Sequence, residues 1–404
     1  MATGPLKKEL KVVELCNFFA GPFCTKLLAD FDADVIKIEQ PGAGDDARRR
    51  GPFLHDEPNP ETSGTFLYLN TNKKGITLDI EKSDGREIFK KLIADADILV
   101  EDKMPGEMDR LGLGYDKLKE INPSLIMTSI TPYGQTGPYR HLKSYPLNTY
   151  HASGQGYMLP MNSRTLDREP VRGPGFLGEA DSGLSAAIAT LGALYWRDAN
   201  GGTGQHIDCS TQHAMLHLER SQLRRYLDTG VSPNRTGMGR LLETLLRGKD
   251  GNYVIVVLSS EKQWQGVFRA MGEPEWGTKE PFNSQAGRQS HFFELHDQLQ
   301  LWADNYTAEE IFEMVQGQGS ASAPAYTAEQ FFNSPQVQAH GYLLDIEHPV
   351  AGKLKYPGWG YRFSNISWRT DTPAPLLGQH TEEVLCELGY TKEDLLKLKQ
   401  AGAI

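Results

Sequence analysis

Residues 10–39 read LKVVELCNFFAGPFCTKLLADFDADVIKIE, and the fold follows from how this run divides. LKVVELC is an apolar run of strand length, buried on both sides. AGPFCTKLLADF has helical spacing and is opened by Gly21-Pro22, where proline suits the first turn because its missing N–H would be unpaired there anyway. ADVIKIE alternates Val35, Ile36 and Ile38 with charged residues, which predicts a second strand. Strand, helix and strand in so short a span make a βα unit whose strands run parallel. Working outward, GITLDI (75–80) places Ile76, Leu78 and Ile80 on one face. DGREIFKKLIADA (84–96) stacks Ile88, Phe89, Leu92 and Ile93 along one helical side. DILVE and SLIMTSI return as short strands. The fold class predicted is α/β, a doubly wound parallel sheet.

The remainder is less regular. No GxGxxG follows the first strand, so the dinucleotide fingerprint is missing. PGAGDDARRRGPF (41–53) is glycine-rich without a Walker lysine-serine pair and reads as a substrate-side loop. Residues 143–172 form a long irregular connection of the kind that is usually functional or disordered. GGTGQHIDCS (201–210) turns into another strand, and TQHAMLHLERSQLRRYL resumes helical spacing. A composition break over 228–251 suggests a boundary, with NYVIVVLSS and KQWQGVFRAMG beginning a smaller αβ unit beyond it. SASAPAYTAEQFFN (320–333) looks like a return linker. The expected organisation is 1–227, first part of a large domain; 228–325, a small α/β domain; and 326–404, a return to the large one.

The chain of 404 residues is 39% hydrophobic and 23% charged, as expected for a soluble globular protein. Its formal net charge of −10 argues against generic nucleic-acid binding, which needs a basic footprint. Cys16, Cys24, Cys209 and Cys386 show no CxxC pair and no histidines at metal spacing, so they read as reduced thiols of a cytoplasmic protein, with no metal site. MATGPLKKEL lacks an apolar signal-peptide core, and no run is long enough to span a membrane.

The chemistry is concentrated in GEADSGLSAAIATLGALYWR (178–197), where two carboxylates and two glycines precede a long apolar helix. Leu184, Ala187, Ile188, Leu191, Leu194 and Tyr195 recur at i, i+3, i+4 and i+7, which predicts a buried face and a helix start near Asp181 or Ser182. In one reading Asp181 caps the helix and Glu179 is a solvated acid. In the other, a carboxylate held in the helix dipole field, between glycines that let a carbonyl approach the backbone, attacks a thioester and forms a mixed anhydride. If Asp181 is the cap, Glu179 is the acid free to react.

Several phrases, in order, resemble the family III CoA-transferases, the group of formyl-CoA transferase, carnitine CoA-transferase and α-methylacyl-CoA racemase. They are residues 10–53, FLYLNTNKKGITLDI, LGLGYDKLKEINPSLIMTSITPYGQTGPY, GGTGQHIDCS and APLLGQHTEEVLCELGYTKEDL. The resemblance implies a Rossmann-like large domain built from both ends of the chain, a small inserted α/β domain, and an interlocked homodimer. It implies coenzyme A as substrate, with no permanently bound cofactor. The family's nucleophilic aspartate stands four residues before the glycine of the long helix; counting back from Gly183 reaches Glu179, with Asp181 the alternative. The positions implied for CoA binding are Phe19, Ala20, Gln40, Leu78, Asp79, Ile80, Glu81, Asp102, Lys103, Met104, Arg110, Lys143, Ser144 and Tyr145. The racemase branch carries a histidine where this chain has Tyr145. A phenol titrating near pH 10 is a poor proton shuttle at neutrality, and His151 is out of register.

The function expected is CoA transfer from an acyl-CoA to a free carboxylic acid, through a carboxylate–acyl anhydride and an enzyme thioester. The alternatives are an acyl-CoA racemase or isomerase and a non-catalytic CoA-binding paralogue. LLETLLRGKDGNYVIV (241–256) lacks the glycine run of formyl-CoA transferases, so an acid larger than oxalate or formate is expected. Trp264, Phe268 and Trp276 either line an acyl pocket or form the core of the small domain.

Overall fold

The computed structural model describes residues 6, 9–218, 220–236, 243–366, 368 and 372–404. Residues 237–242, inside the composition break at 228–251, lie outside the described residues, as does most of MATGPLKKEL. The chain divides into two compact units. One comprises 1–156, 172–223 and 342–404, and the other 157–171 and 224–341.

The larger unit is built on a six-stranded parallel sheet. Its strands are β1 (Lys11–Leu15), β2 (Asp34–Glu39), β3 (Lys73–Thr77), β4 (Ile98–Glu101), β5 (Ile126–Thr131) and β6 (His206–Ser210). Their order is β3-β2-β1-β4-β5-β6. Connecting them are α1 (Ala20–Asp30), α2 (Gly64–Leu69), α3 (Ser83–Ala94), α4 (Glu107–Arg110), α5 (Tyr115–Ile121), α6 (Pro146–Ala152) and α7 (Leu177–Ala199), with α8 (Thr211–Leu218) after the last strand. Successive strand residues point to opposite faces. Val13, Leu15 and Leu99 therefore join Ile88, Phe89 and Leu92 of α3 in one core, while Val12, Ile98 and Val100 join Cys24 and Leu28 of α1 and Ala186 and Ala187 of α7 in another. Helices cover both faces. The strand order reverses at β1 and β4, paired in register from Val12↔Ile98 to Leu15↔Glu101, so a crevice opens beyond their carboxyl ends.

Two expectations fail instructively. The strand placed at 75–80 runs over 73–77, because Lys73 and Lys74 belong to it. Leu78 and Ile80 are buried beyond its end. The long helix starts at Leu177, capped by Phe176 without any side-chain bond, so Asp181 lies inside the helix and is not its cap. Its face is as expected only in part. Ala187 and Leu194 are buried and Leu191 packs against the core, with Gly178, Ser182, Gly183, Ala186, Thr190 and Ala193 also buried, whereas Leu184, Ile188 and Tyr195 are exposed. Close approach explains this: a Cβ on Gly183 would sit 2.5 Å from the Ala20 carbonyl oxygen, and one on Gly178 would sit 2.5 Å from Met215 Sδ. Both glycines therefore serve close packing.

Beneath the 41–53 loop lies a network of buried charge. Lys37 Nζ meets Glu14 Oε1 and Asp45 Oδ2, each at 2.7 Å, and Lys73 Nζ meets Glu14 Oε2 at 2.9 Å. Arg48 forks onto Glu39 at 2.7 and 2.8 Å and reaches Glu61 at 2.8 Å. Burial opposes the charge on Glu14, but the ammonium groups of Lys37 and Lys73 outweigh it and bring its carboxyl down to about 2. Burial, with the repulsion of Lys37, brings Lys73 down to about 8 despite its contact with Glu14.

The second unit holds α9 (Arg220–Thr229) from Arg224 onward and an antiparallel sheet of β7 (Glu243–Arg247), β8 (Tyr253–Val257) and β9 (Ser322–Ala325) in that order. Around the sheet stand α10 (Glu261–Ala270), α11 (Gln285–Ser290), α12 (Phe292–Ala303) and α13 (Ala308–Gly317), followed by α14 (Ala328–Asn333) and α15 (Pro335–Ala339). Ser260 and Thr307 open α10 and α13 with capping boxes, which satisfy N–H groups that the helix leaves unpaired. Trp264 and Phe268 are buried in this unit's core, with Trp276 packed against it. They are core residues rather than the lining of an acyl pocket. The chain then returns to the larger unit as a hairpin, β10 (Leu343–His348) and β11 (Gly352–Pro357), and two helices, α16 (Thr381–Glu387) and α17 (Lys392–Gln400). The four cysteines are free thiols. Among the described residues no helix is long and apolar enough to cross a membrane, and no group of His, Cys, Asp and Glu could hold a metal ion.

Candidate active site

The crevice between the ends of β1 and β4 holds a cavity of about 390 Å³. Among the segments that shape it are Asn17–Ala20 after β1, Asp102–Met104 after β4, Ile130–Pro132 at the end of β5, Ser144–Pro146 at the start of α6, and the start of α7. Asn17 N–H donates to Asp102 Oδ2 at 2.7 Å, and Phe18 N–H donates to Asp45 Oδ1 at 2.8 Å. These bonds hold Phe18 at φ +70°, a left-handed conformation that costs a phenylalanine about 1–3 kcal/mol. The Phe18 and Phe19 rings then pack on Phe176, the residue before α7, with centroids at 4.9 and 5.1 Å. The first turn of α7 is thereby fixed at the cavity, and Glu179 lines it.

Of the CoA-binding positions read from the sequence, the cavity gathers Phe19, Ala20, Asp102, Lys103, Met104, Ser144 and Tyr145. Tyr145 opens α6, its N–H donating to Asn148 Oδ1 at 3.0 Å. His151 lies further along α6 and is not part of the lining. Gln40, Leu78, Asp79, Ile80, Glu81, Arg110 and Lys143 also lie outside it, as does Asp181. Leu78 and Ile80 are core residues. Asp79 turns back to accept the Glu81 N–H at 3.0 Å, and Glu81 pairs with Arg110 at 2.5 Å on the surface. Lys143 and Gln40 are exposed. The lining also includes Asn17, Phe18, Asp46, Arg50, Glu107 and Thr149, which the sequence reading did not name as site residues. The available signals were the NFF run after the first strand and the three arginines at 48–50.

Burial raises all three acids of this region. Burial raises the Glu179 carboxyl above the ordinary range, opposed by its own backbone N–H and by Arg172. Burial alone raises Asp181. Asp102 is pushed up to about 7, by burial first, against the pull of Lys103. Asp46 accepts from Asn17 Nδ2 at 2.7 Å and pairs with Arg49, so its charge is already answered. Among the described residues no hydrogen-bonding partner meets the Glu179 side chain from another residue.

A second cavity, of about 360 Å³, shares Lys103 and Met104 with the first and contains neither Glu179 nor Asp181. Its buried Glu101 is raised to about 7 by burial and bonds Ser129, whose Oγ lies 2.8 Å from His206 Nε2.

The chain matches the model of CoA-transferase family III over residues 8–381. It is 32% identical to a succinyl-CoA–D-citramalate CoA-transferase of Chloroflexus aurantiacus, covering 98% of this chain and 97% of that protein. It is also 32% identical to a formyl-CoA:oxalate CoA-transferase of Shigella sonnei, covering 98% of each. Among solved structures, a CaiB/BaiF family protein of Brucella suis superposes with a TM-score of 0.83 at 31% identity, covering 96% of this chain and 100% of that one. A Mycobacterium tuberculosis protein superposes with a TM-score of 0.81 at 26% identity, covering 95% and 100%. With a parallel sheet that opens a cavity at its strand reversal and a family match across nearly its whole length, the chain belongs to CoA-transferase family III and is an enzyme that transfers coenzyme A from an acyl-CoA to a carboxylic acid.

Proposed function

We propose that Glu179 is the nucleophile of this transfer. One of its carboxylate oxygens attacks the donor thioester carbonyl, the C–S bond breaks, and CoA leaves as thiolate, giving a mixed anhydride. The thiolate attacks the glutamyl carbonyl and the donor acid departs as carboxylate, which leaves a glutamyl–CoA thioester. The acceptor carboxylate then attacks that thioester and releases the thiolate. Attack of the thiolate on the acceptor carbonyl yields the new acyl-CoA and restores Glu179. Every step exchanges one acyl bond for another, so no ATP is consumed.

The observation that carries this reading is the place of Glu179 on the cavity wall beside Phe19, Ala20, Lys103 and Tyr145, with Asp181 outside it. Phe19, Ala20, Asp102, Lys103, Met104, Ser144 and Tyr145 would take the acyl-CoA arm, while Arg110 and Lys143 supply charge for its phosphates. Tyr145 in place of a histidine favours transfer over racemisation. The test is mass spectrometry of acyl-CoA donors against a carboxylic acid panel, with hydroxylamine trapping of the acyl-enzyme. Trapping should label Glu179, and Glu179→Gln should lose at least about 10³-fold in kcat, while Asp181→Asn stays active. Labelling at neither acid removes the mechanism. Exchange of a Cα proton with heavy water in the absence of acceptor acid would instead favour the isomerase reading.

The enzyme works as an interlocked homodimer in the cytoplasm. Supporting the dimer is the apolar stripe that α7 leaves exposed, Leu184, Ile188 and Tyr195, the last 79% accessible. Sedimentation should give twice the chain mass, and tagged and untagged dimers should not exchange subunits without unfolding. A monomer, or rapid exchange, refutes the arrangement. The free thiols support a reducing compartment.

A further inference from the structure

Two consecutive acids end β4, and they serve different cavities, as neighbours along a strand do when they point to opposite faces. Glu101 is buried beside the second cavity and accepts the Lys103 N–H at 2.7 Å. Asp102 lines the cavity of Glu179, where its Oδ2 accepts the Asn17 N–H at 2.7 Å. That bond fixes the carboxyl and uses one oxygen only. Among the described residues no donor meets Oδ1, and Lys103 acts on the group through its charge without forming an ion pair with it.

The cycle proposed above places three negative charges on one cavity wall: the nucleophile Glu179, Asp102 and the departing sulfur. Like charges held close together disfavour one another's ionisation. A site that needs Glu179 as an anion and expels a thiolate therefore works best with Asp102 neutral. The surroundings agree. Around Asp102 stand buried Cys16 at the end of β1, Asp45, Asp46 and Arg50 of the 41–53 loop, and Glu101 and Lys103 of its own segment. Glu107 of α4, Tyr145 of α6 and Glu179 of α7 complete the charged and titratable groups near it. Burial, with Glu101 and Asp45, outweighs Lys103 and the Asn17 N–H and brings the carboxyl to about 7. Below that pH Oδ1 is left to carry the proton. When two acids share a site but differ in environment, one acts as the acid and the other as the base or nucleophile.

We propose that Asp102 is the general acid and base of this transfer: its carboxyl gives a proton to the CoA sulfur as the thioester C–S bond breaks, and its carboxylate takes that proton back as the sulfur attacks the next acyl carbon. An O–H bond is exchanged for an S–H bond and then restored, so each half of the cycle is neutral in protons and needs no further reactant. A cysteine-like thiol titrates at about 8.5, close enough to Asp102 for the proton to pass either way at small cost. While ionised, Asp102 keeps the Asn17 N–H and the nearby charge of Lys103. The proposal rests on the reading of Glu179 above, because the sulfur departs only when that carboxylate attacks.

The experiment follows single-turnover formation of the acyl-enzyme against pH, in light and heavy water, with the best acyl-CoA donor of the screen. It compares the wild type with Asp102→Asn, which keeps an acceptor for the Asn17 N–H and has no proton to give. The wild-type rate should fall about tenfold per pH unit above about 7 and be slower in heavy water near pH 6. Asp102→Asn should lose about 10²-fold near pH 6, lose both the fall and the heavy-water slowing, and leave KM for acyl-CoA within about 2-fold. A residue that merely holds the Asn17 backbone would leave Asp102→Asn with the wild-type rate near pH 6. That result, or a fall above neutrality that survives in the variant, overturns the proposal. If Asp102→Asn does not fold, the wild type decides: a flat rate above neutrality, or no slowing in heavy water, overturns it. Hydroxylamine trapping keeps the two readings apart. Label absent from Glu179 removes the nucleophile and this role with it, whereas a labelled Glu179 beside an Asp102→Asn of wild-type rate removes only the role of Asp102.

Discussion

If Glu179 is the nucleophile proposed above, it must be ionised to attack, and burial raises its carboxyl above the ordinary glutamate range. Transfer should therefore fall on the acid side of the pH profile, and the fall should begin at a higher pH than an exposed glutamate would give. Single-turnover rates of acyl-enzyme formation measured against pH check this, with Glu179→Asp expected to keep the shape at a reduced rate. Arg110 presents a second test. It is paired with Glu81 on the surface, so a phosphate arriving there competes with a resident carboxylate. Glu81→Gln should lower KM for acyl-CoA about 2- to 5-fold at low salt and change little at high salt. An unchanged KM would show that Arg110 does not meet the nucleotide. At this scale the sequence was only partly informative. The two acids beside glycines drew attention to Glu179, and the family resemblance supplied the segments at 19–20, 102–104 and 144–145. The sequence could not separate Arg50 from Arg49 and Arg48, because the three differ only in which carboxylates the folded loop brings to each.

The packing of α7 on α1 depends on a missing side chain. Gly183→Ala would drive a methyl group to within 2.5 Å of the Ala20 carbonyl oxygen, which is backbone and cannot rotate away. We expect a loss of about 1–3 kcal/mol in urea unfolding, together with reduced kcat as the first turn of α7 shifts from the cavity. Gly192 has no atom within 4 Å of the position its Cβ would take, and Gly192→Ala should be neutral or mildly stabilising. Helical periodicity correctly announced this helix and misassigned half of its face, since it assumes that large apolar residues point to the nearest core. Here the small residues do, because two helices approach closely, and Leu184, Ile188 and Tyr195 are left outside. The parallel strands were legible for a simpler reason: a sheet covered on both faces shows as continuous runs of Val, Ile and Leu. The exception is β3, which begins with two lysines. Hydropathy therefore placed this strand two residues late, because its first buried member is a lysine answered by Glu14.

For the molecule as a whole, that buried charge sets the response to acid. Glu14 titrates at about 2 in the folded protein against about 4.5 when free, so its contribution is complete above pH 4.5 and is lost as pH falls towards 2. The amount is about 3 kcal/mol. Unfolding measured from pH 7 to pH 3 should show this decline. Glu14→Gln should be less stable at pH 7 by about 3–5 kcal/mol, since two buried ammonium groups lose their shared partner, and flatter below pH 4.5. A variant with an unaltered pH slope would mean that other carboxylates govern acid unfolding.

The outer edge of β3 is closed by the far end of the chain: Gly75 N–H donates to His380 Nδ1 across 305 residues, and Thr77 N–H donates to Thr381 Oγ1. On the ribosome, that edge waits for its cover until 305 further residues have been made. Throughout elongation the nascent sheet offers a bare row of backbone donors and acceptors to any neighbouring strand. A stop codon anywhere before Gln379 should therefore yield inclusion bodies rather than a shorter enzyme.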